Sequence, residues 1–333
     1  MSYLAFFVLA AAIVFLSVKL SEYVDLLDKS TKVSGAFIGG VLLAAVTSLP
    51  ELFTSLSAVL FIGENNLVTG NILGSNLFNL AALGACCAIM FRGFHKAKVG
   101  KHHVVTLLCC ISVYALIAVA VFVKNVPYIG FVNIVSPFIF AVYVICLLIT
   151  PKTEESGEHT EIALSVKQLT VRFIIAALLL IGVSICITYV TDDIADKLDL
   201  GKTFAGALLL GLTTSLPELV STVSLCKRGN FNASVGNILG SNIFNFFILF
   251  LADLLSFRPG NTSIYPHFTG GSAGFQSMLL LVLGAAASVF AAIMLLIKNR
   301  APAKKMLGHV SSVSCGTIMV SAYLLFLILS TAL

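Results

Sequence analysis

Two glutamate residues, Glu51 and Glu218, end the two copies of the pentapeptide Thr-Ser-Leu-Pro-Glu, and both copies lie within long apolar stretches. A charged carboxylate at the centre of a bilayer costs at least a few kcal/mol, so its presence there indicates a function. The sequence has fifteen acidic residues; we place only these two in the middle of a span, and we expect Asp253, near the outer end of another span, to reach interfacial water. A purely structural role explains one buried, hydrogen-bonded glutamate more readily than it explains two at equivalent positions.

The proline that precedes each glutamate indicates how further oxygen atoms become available. Pro50 and Pro217 each remove one backbone N–H and clash with a carbonyl group about one turn earlier. We therefore expect free carbonyl groups near residues 44–47 and 211–214. Hydroxyl groups lie on the same turns, at Thr47, Ser48, Thr214 and Ser215. Carboxylate, carbonyl and hydroxyl oxygens together suit a hard cation such as Ca²⁺ or Na⁺, so the repeated motif predicts a cation site.

A second repeated motif, Gly-Asn-Ile-Leu-Gly-Ser-Asn, begins the apolar stretch that follows each glutamate, at residues 70–76 and 236–242. Its glycines permit close approach of helices. Polar side chains recur at helical spacing, and positions four apart share one face of a helix. The predicted cation ligands on these faces are Ser75, Asn79, Ser241 and Asn245. The predicted interhelical hydrogen-bonding residues are Asn71, Asn76, Asn237 and Asn242.

The composition places both motifs in a membrane. Hydrophobic residues make up 59% of the 333 residues and charged residues only 11%, whereas a soluble domain averages about 25% charged residues. Apolar stretches of about twenty residues, enough to span a bilayer, alternate with short polar connectors. We predict ten spans, at residues 3–21, 34–62, 66–90, 104–123, 128–150, 169–190, 203–226, 231–256, 276–297 and 310–332.

The two halves of the chain repeat each other at an offset of 166 to 167 residues. Each half holds five predicted spans, and this odd number means that the second half enters the membrane from the opposite side. The predicted fold is thus an all-α membrane protein with two inverted-topology repeats, a plan in which the substrate site lies between the repeats near the midplane. The expected boundaries are 1–150 for the first repeat (motif 44–79), 151–168 for a linker, and 169–333 for the second repeat (motif 211–245).

The distribution of Lys and Arg predicts the orientation. Sixteen lie at one set of connectors and helix ends and four at the other, so the positive-inside rule puts both termini outside. We read the apolar N-terminal stretch as a retained helix, since it has no basic region before it and no cleavage site after it. The compact loops and the lack of transit features favour a prokaryotic inner membrane.

Other chemistries find little support in the residues. The eight cysteines contain no C-x-x-C pair and are expected to be free thiols, while the six histidines fall in connectors or at helix ends. An intramembrane hydrolase would want a metal-binding or nucleophilic set, and no H-E-x-x-H motif is present. A passive channel is disfavoured by the inverted halves and the proline-broken helices. We therefore expect no enzyme activity and no cofactor; the expected partners are transported cations and the lipid bilayer, without nucleic acid or a protein partner.

The paired T-S-L-P-E-L and G-S-N-x-F-N elements resemble the two α-repeats of the calcium/cation antiporter superfamily, most closely its prokaryotic sodium/calcium exchanger branch. The resemblance covers both halves and implies a ten-helix fold that exchanges Ca²⁺ for Na⁺ by alternating access. It also implies that two long tilted helices, spans one and six here, slide across the other eight. The ligands that it implies are Thr47, Ser48, Glu51, Ser75, Asn79, Thr214, Ser215, Glu218, Ser241 and Asn245, with the carbonyl groups of Ala44 and Gly211.

One position departs from the pattern of that branch. Asn245 stands where sodium/calcium exchangers commonly have Asp, which makes the central set a symmetric Glu, Asn, Glu, Asn. Proton/calcium members of the superfamily also have Asn at both places. Two carboxylates neutralise one Ca²⁺ but leave a positive charge with three Na⁺. H⁺/Ca²⁺ exchange with Glu51 and Glu218 as proton carriers is therefore the alternative, because burial favours the protonated form of a carboxyl group.

Overall fold

The fold is built from helices, because a chain in lipid must satisfy its backbone N–H and C=O groups internally. The computed structural model describes residues 1–30, 46–123, 128–129, 132–149, 165–256, 264–265, 271–300 and 305–331. The helices are α1 (Ser2–Ser30), α2 (Leu49–Ile62), α3 (Asn65–Ile89), α4 (Phe91–Lys96), α5 (His102–Phe122), α6 (Val135–Ile149), α7 (Val166–Lys197), α8 (Lys202–Thr214), α9 (Leu216–Lys227), α10 (Phe231–Leu255), α11 (Gly271–Arg300) and α12 (Lys305–Thr331). Two π-helical segments interrupt the α-helical pattern: Ala58–Ile62 ends α2, and Gly206–Gly211 lies within α8.

Within the described ranges, seven helices are long and apolar enough to cross a membrane, or eight if the bent pair α8 and α9 forms one span. The chain is therefore an all-α membrane protein. The apolar helices α2 and α6 are shorter. The predicted span 34–62 falls partly on residues 31–45, and most of the predicted linker falls on residues 151–164; both stretches lie outside the described residues.

The predicted span 128–150 begins too early. Its first residues form two short antiparallel strands, β1 (Tyr128–Ile129) and β2 (Val132–Asn133), with Tyr128 opposite Asn133. Asn133 is buried, and its Oδ1 accepts a hydrogen bond from the backbone N–H of Val135 at 3.0 Å. An asparagine that bonds the chain two residues ahead favours a turn and a helix start, so α6 begins only at Val135.

Helices α1 and α7 form a pair with its own apolar cluster. Their antiparallel packing buries side chains such as Phe6, Ile13 and Leu180 in a cluster separate from the main core. At the end of the pair, Ser2 Oγ donates a hydrogen bond to Asp193 Oδ2 at 2.6 Å. The 32 residues of α7 extend about 48 Å, more than the roughly 30 Å of a hydrocarbon core, so α7 has to tilt to remain in the bilayer.

Helices α3 and α10, which carry the second motif, run through the main core. Helix α3 packs against α8, α10, α11 and α12. Glycine makes its contact with α8 possible: a Cβ atom on Gly74 would lie 2.6 Å from the Cα of Ala207, and one on Gly70 would clash with the carbonyl oxygen of Thr203. The first half thus places its motif helix directly against the broken helix of the second half.

This contact predicts that Gly74→Ala destabilises the protein. The added methyl group meets backbone atoms of α8 that cannot move aside separately, and overpacking of this kind costs about 1–3 kcal/mol. The measurement is thermal unfolding of the purified protein in detergent, where Gly74→Ala should lower Tm by several degrees.

Gly182→Ala is the matched control. Gly182 also lies inside a helix, and a Cβ atom there would have no atom of the described residues within 4 Å. Because alanine favours helix by about 1 kcal/mol over glycine, this variant should unfold at the temperature of the wild type or above it. Equal Tm values for the two variants would contradict the close α3–α8 contact.

Candidate cation-binding site

Each Thr-Ser-Leu-Pro-Glu motif breaks a helix, as the prolines predict. Ser48 and Ser215 precede α2 and α9 with nearly identical backbone angles, φ −92° and ψ 12° for Ser48 and φ −90° and ψ 2° for Ser215. The proline then stands in the first turn of the new helix, where its missing N–H is tolerated. Helices α8 and α9 meet at an angle of 47°. The break leaves the hydroxyl and carboxyl groups of the motif on one turn, facing the interior.

The serine at each helix break donates a hydrogen bond to the glutamate of the other motif. Ser48 Oγ donates a hydrogen bond to Glu218 Oε1 at 3.1 Å, and Ser215 Oγ donates one to Glu51 Oε1 at 2.9 Å. Both carboxyl groups are fully buried. Since each serine comes from the opposite half of the chain, these reciprocal bonds bring both carboxyl groups into one enclosed site.

Further predicted ligands surround the Glu218 carboxyl group. Ser241 Oγ donates to Glu218 Oε1 at 3.4 Å, and Thr47 Oγ1 lies 3.5 Å from Ser241 Oγ. Thr47 belongs to the first half and Ser241 to the second. The structure therefore brings these hydroxyl groups and the carboxyl group together from three different helical segments.

The remaining hydroxyl groups donate to backbone carbonyl groups. Ser75 Oγ donates to Gly211 O at 3.2 Å, and Thr214 Oγ1 donates to Leu210 O at 2.9 Å. A hydroxyl group that has donated its hydrogen keeps oxygen lone pairs for a cation. The Gly211 carbonyl is not freed by the proline, because it also accepts the backbone N–H of Ser215 at 3.3 Å. Ala44, its predicted counterpart, lies outside the described residues.

Four asparagines form a second reciprocal arrangement between α3 and α10. Asn76 Nδ2 donates to Asn242 O at 3.4 Å, and Asn242 Nδ2 donates to Asn76 O at 3.1 Å. Their side-chain oxygens accept the amide groups of the predicted ligands: Asn79 Nδ2 donates to Asn242 Oδ1 at 3.0 Å, and Asn245 Nδ2 donates to Asn76 Oδ1 at 2.9 Å. The interhelical role predicted for Asn76 and Asn242 is confirmed, and the same bonds orient Asn79 and Asn245.

The interhelical role of the other two asparagines is confirmed as well. Asn71 Nδ2 donates to Thr54 Oγ1 and to Ser55 Oγ, both at 2.9 Å, and Asn237 Nδ2 donates to Thr222 Oγ1 at 3.3 Å. Sequence reasoning missed these hydroxyl partners. The available signal was their position, one turn after the glutamate in both copies of the motif.

Each of the four central residues is left with one buried oxygen atom that has no hydrogen-bond partner among the described residues. These atoms are Glu51 Oε2, Glu218 Oε2, Asn79 Oδ1 and Asn245 Oδ1. All four are acceptors, and a buried polar atom without a partner costs about 1–3 kcal/mol. Carboxylate and amide oxygens are ligands that Ca²⁺ accepts in proteins. The residues present therefore fit a hard cation between the two halves.

Asp253 corrects the expectation of an acid that reaches interfacial water. Asp253 is fully buried, Ser136 Oγ donates to its Oδ2 at 2.6 Å, and the backbone N–H of Ile264 donates to its Oδ1 at 3.0 Å. Tyr265 OH lies 3.0 Å from Ser136 Oγ. Because Ile264 and Tyr265 close over the carboxyl group after the helix has ended, its burial depends on a contact that spacing within α10 does not reveal. This third acid anchors the chain rather than joining the glutamates.

Broken helices from two repeats, meeting around buried carboxyl groups inside a membrane, define a secondary transporter. The chain belongs to the sodium/calcium exchanger protein family, whose profile matches residues 1–150 and 168–332. This is a family of membrane cation antiporters within the calcium/cation antiporter superfamily, and not a family of enzymes.

Curated relatives match parts of the chain. The Inner membrane protein YrbG of Escherichia coli is 28% identical over 227 residues, which cover 64% of this chain and 66% of YrbG, so the match spans just under two thirds of that relative's length. The Sodium/calcium exchanger MaX1 of Methanosarcina acetivorans is 44% identical over 55 residues, 16% of each chain.

Solved structures match nearly the whole chain in fold. YfkE has a TM-score of 0.66 at 17% identity and covers 100% of this chain and 93% of its own. The H⁺/Ca²⁺ exchanger CAX has a TM-score of 0.66 at 14% identity, covering 99% and 87%. The sodium-calcium exchanger NCX_Mj, soaked with 10 mM Na⁺ and zero Ca²⁺, has a TM-score of 0.58 at 19% identity, covering 98% of each chain. At these identities the likeness establishes a shared fold, that of a ten-helix inverted repeat.

The unpaired oxygens predict that Ca²⁺ stabilises the purified protein and that Glu218→Gln and Asn79→Ala remove this effect. A ligand that binds only the folded state at a hundred times its Kd adds about 2.7 kcal/mol, which should raise Tm by several degrees. The measurement is thermal unfolding in detergent with and without Ca²⁺.

Asp253→Asn serves as the control, since Asp253 is buried but bonded within its own cluster. This variant should unfold earlier than the wild type and still respond to Ca²⁺. A Ca²⁺ response that survives in Glu218→Gln and disappears in Asp253→Asn would place the cation elsewhere.

Proposed function

We propose that the protein exchanges Ca²⁺ for Na⁺ across a prokaryotic inner membrane by alternating access. The observation that supports this most directly is the set of four unpaired buried oxygens at Glu51, Glu218, Asn79 and Asn245. Ca²⁺, or several Na⁺ in its place, binds to these oxygens and neutralises the carboxylates. The hydroxyl groups of Thr47, Ser48, Ser75, Thr214, Ser215 and Ser241 and the carbonyl groups of Ala44 and Gly211 complete the ligand set, with Gly211 O giving up one of the two hydrogen bonds that it accepts.

The names of two relatives support Na⁺/Ca²⁺ exchange at an inner membrane. The name of MaX1 describes a sodium/calcium exchanger, and its match to this chain is local but 44% identical. The name of YrbG describes an inner membrane protein. With the Lys and Arg bias, these facts favour an inner-membrane exchanger with both termini outside, residues 1–150 and 169–333 as its inverted repeats, and ten spans in all.

Alternating access in this proposal comes from sliding of α1 and α7 over the rest of the molecule. These helices share an apolar cluster of their own, and apolar surfaces can move past each other without breaking many directional bonds. A site that holds two carboxylates resists this movement while it is empty, because the uncompensated charges would pass through an environment of low dielectric constant. Occupied by Ca²⁺ or Na⁺, the site can open to either face.

H⁺/Ca²⁺ exchange is the second candidate, and a specific observation favours it. The central set has only two carboxyl groups, with Asn at both remaining positions, and the fold is as similar to that of CAX, described as an H⁺/Ca²⁺ exchanger, as to that of YfkE. In this case two protons replace Na⁺ on Glu51 and Glu218.

The two candidates predict different driving gradients. In proteoliposomes loaded with Ca²⁺, we expect an imposed Na⁺ gradient at constant pH to drive Ca²⁺ flux, and a pH gradient without Na⁺ to drive little. The measurement is the Ca²⁺ flux under each gradient, followed with ⁴⁵Ca²⁺ or with a Ca²⁺-sensitive dye. Ca²⁺ flux that responds only to the pH gradient would contradict Na⁺ coupling and would identify H⁺ as the coupling ion.

Substitution of either central glutamate should abolish Ca²⁺ transport under both candidates. Glu51→Gln or Glu218→Gln keeps the size of the side chain but leaves one carboxylate against a divalent cation, and we expect initial rates to fall to the background of protein-free vesicles. Asp253→Asn, reconstituted to the same protein content, should retain transport. Transport near wild-type rates in both Gln variants would refute the assignment of the site.

A further inference from the structure

The two long helices carry the same buried pattern at the same offset as the motifs of the site. On each helix a serine lies between two apolar residues, and all three are buried in the α1–α7 cluster region. The pattern consists of Ile13, Ser17 and Leu20 on α1 and of Leu180, Ser184 and Ile187 on α7. Alanine would fill the same space in an apolar interface, so the repeated hydroxyl group requires a reason.

Neither serine hydroxyl has a hydrogen-bond partner within the described ranges. Ser17 Oγ and Ser184 Oγ are both buried and unpaired. The next hydroxyl on each helix is bonded instead: Ser21 Oγ donates to Ser17 O at 3.0 Å, and Thr188 Oγ1 donates to Ser184 O at 2.7 Å. A helical serine can bond a carbonyl group one turn earlier, so an unpaired hydroxyl at both equivalent positions is available to another ligand.

The hydroxyl groups of α7 lie alongside α2, the helix that carries Glu51. Thr188 Oγ1 approaches Thr54 O at 3.4 Å, and Thr54 is one turn after Glu51 on α2. Farther along both helices, Glu64, just after α2, lies in the field of Lys202, which is itself bound to Asp192 of α7, so α2 and α7 run in the same direction. Ser184, one turn before Thr188, therefore lies at the depth of Glu51.

From that depth the polar residues of α7 continue to the surface. Thr191, also buried and with no hydroxyl partner among the described residues, follows Thr188. Asp192 and Asp196 come next, bound to Lys202 Nζ at 2.5 and 2.6 Å. This gives a line of oxygen atoms from the carboxyl site to one face of the molecule.

Helix α1 has the corresponding relation to Glu218. It contacts Leu212–Thr214 of α8 and also α9, and Val14 and Val18, on the face of α1 next to that of Ser17, line a cleft with Leu216, two residues before Glu218. Because Ser2 at the start of α1 bonds Asp193 at the end of α7, the two helices are antiparallel. The hydroxyl groups of α1, Ser17 and Ser21, thus lead from the site toward the opposite face.

We propose that Ser17 and Ser184 are transient cation ligands on the two access routes: Ser184 on the route to the face where Asp193 lies, and Ser17 on the route to the other face. Each hydroxyl oxygen replaces a water molecule in the shell of the Na⁺ or Ca²⁺ ion as the ion enters or leaves the carboxyl site. This inference rests on the proposed cation exchange and adds to it a residue for each side of the membrane.

The test is the cation dependence of exchange measured separately from each face, in right-side-out and inside-out vesicles. Ser184→Ala should raise the half-saturating Ca²⁺ concentration about fivefold at the face of Asp193, the effect of one lost neutral contact, with less than a twofold change at the other face. Ser17→Ala should show the reverse, and Ser184→Thr, which keeps the hydroxyl group, should restore the wild-type value.

Ser288→Ala is the matched control. Ser288 is a buried helical serine whose Oγ donates to Gly284 O at 2.9 Å, so its loss should not produce a difference between the faces. Because Ser17→Ala and Ser184→Ala remove unpaired hydroxyl groups, both variants should unfold at or above the wild-type Tm. A lower Tm would indicate a structural role and overturn the inference.

The outcomes separate this inference from the proposed function. A wild type that exchanges no cations under either gradient removes the proposed function and this inference with it. A wild type that exchanges Ca²⁺, with Ser17→Ala and Ser184→Ala changed equally at both faces or unchanged at both, overturns this inference alone.

Discussion

Two buried carboxyl groups in one membrane site form the constraint on which the rest of the molecule depends. Glu51 and Glu218 are fully buried, and in the described part of the chain neither forms an ion pair with Lys or Arg. Moving a carboxylate from water into an interior of low dielectric constant is strongly unfavourable without compensation. Hydroxyl donors from Ser48, Ser215 and Ser241 compensate in part. The remaining compensation has to come from a cation or a proton, which makes the site dependent on its cargo.

The compensation is reciprocal, so neither half of the chain can form the site alone. Ser48 of the first half holds Glu218 of the second, and Ser215 holds Glu51. The same exchange occurs between Asn76 and Asn242 through their backbone carbonyl groups. Each half supplies the donors that the other lacks. The duplicated motif therefore works as a pair of interlocking parts rather than as two independent ion sites.

Much of the site could be predicted from the sequence because it depends on local covalent geometry. A proline breaks a helix wherever it stands inside one, so the breaks at Ser48 and Ser215 follow from the motif. Helical spacing likewise put the asparagines on interhelical faces. The apolar pattern puts the start of α6 too early, because the hydrogen bond from Val135 N–H to Asn133 competes with continuation of the apolar helix. The pattern also predicts Asp253 near water, because the residues that cover it, Ile264 and Tyr265, are separated from it in sequence.

The membrane class, the two repeats and the broken helices follow from the sequence alone, which also predicts Glu51, Glu218, Asn79 and Asn245 as the central residues. Composition, prolines and helical periodicity act on each segment independently of its neighbours, so these features can be predicted from the amino-acid sequence. Three features become apparent only in the folded molecule. Each serine bonds the glutamate of the other half, the amide bonds to Asn76 and Asn242 leave the Asn79 and Asn245 oxygens unpaired, and Ser17 and Ser184 are buried; none of these unpaired groups has a partner among the described residues. Those features depend on which atoms of distant segments come into contact. Gly70 and Gly74 set the distance between α3 and α8, and so help to decide those contacts.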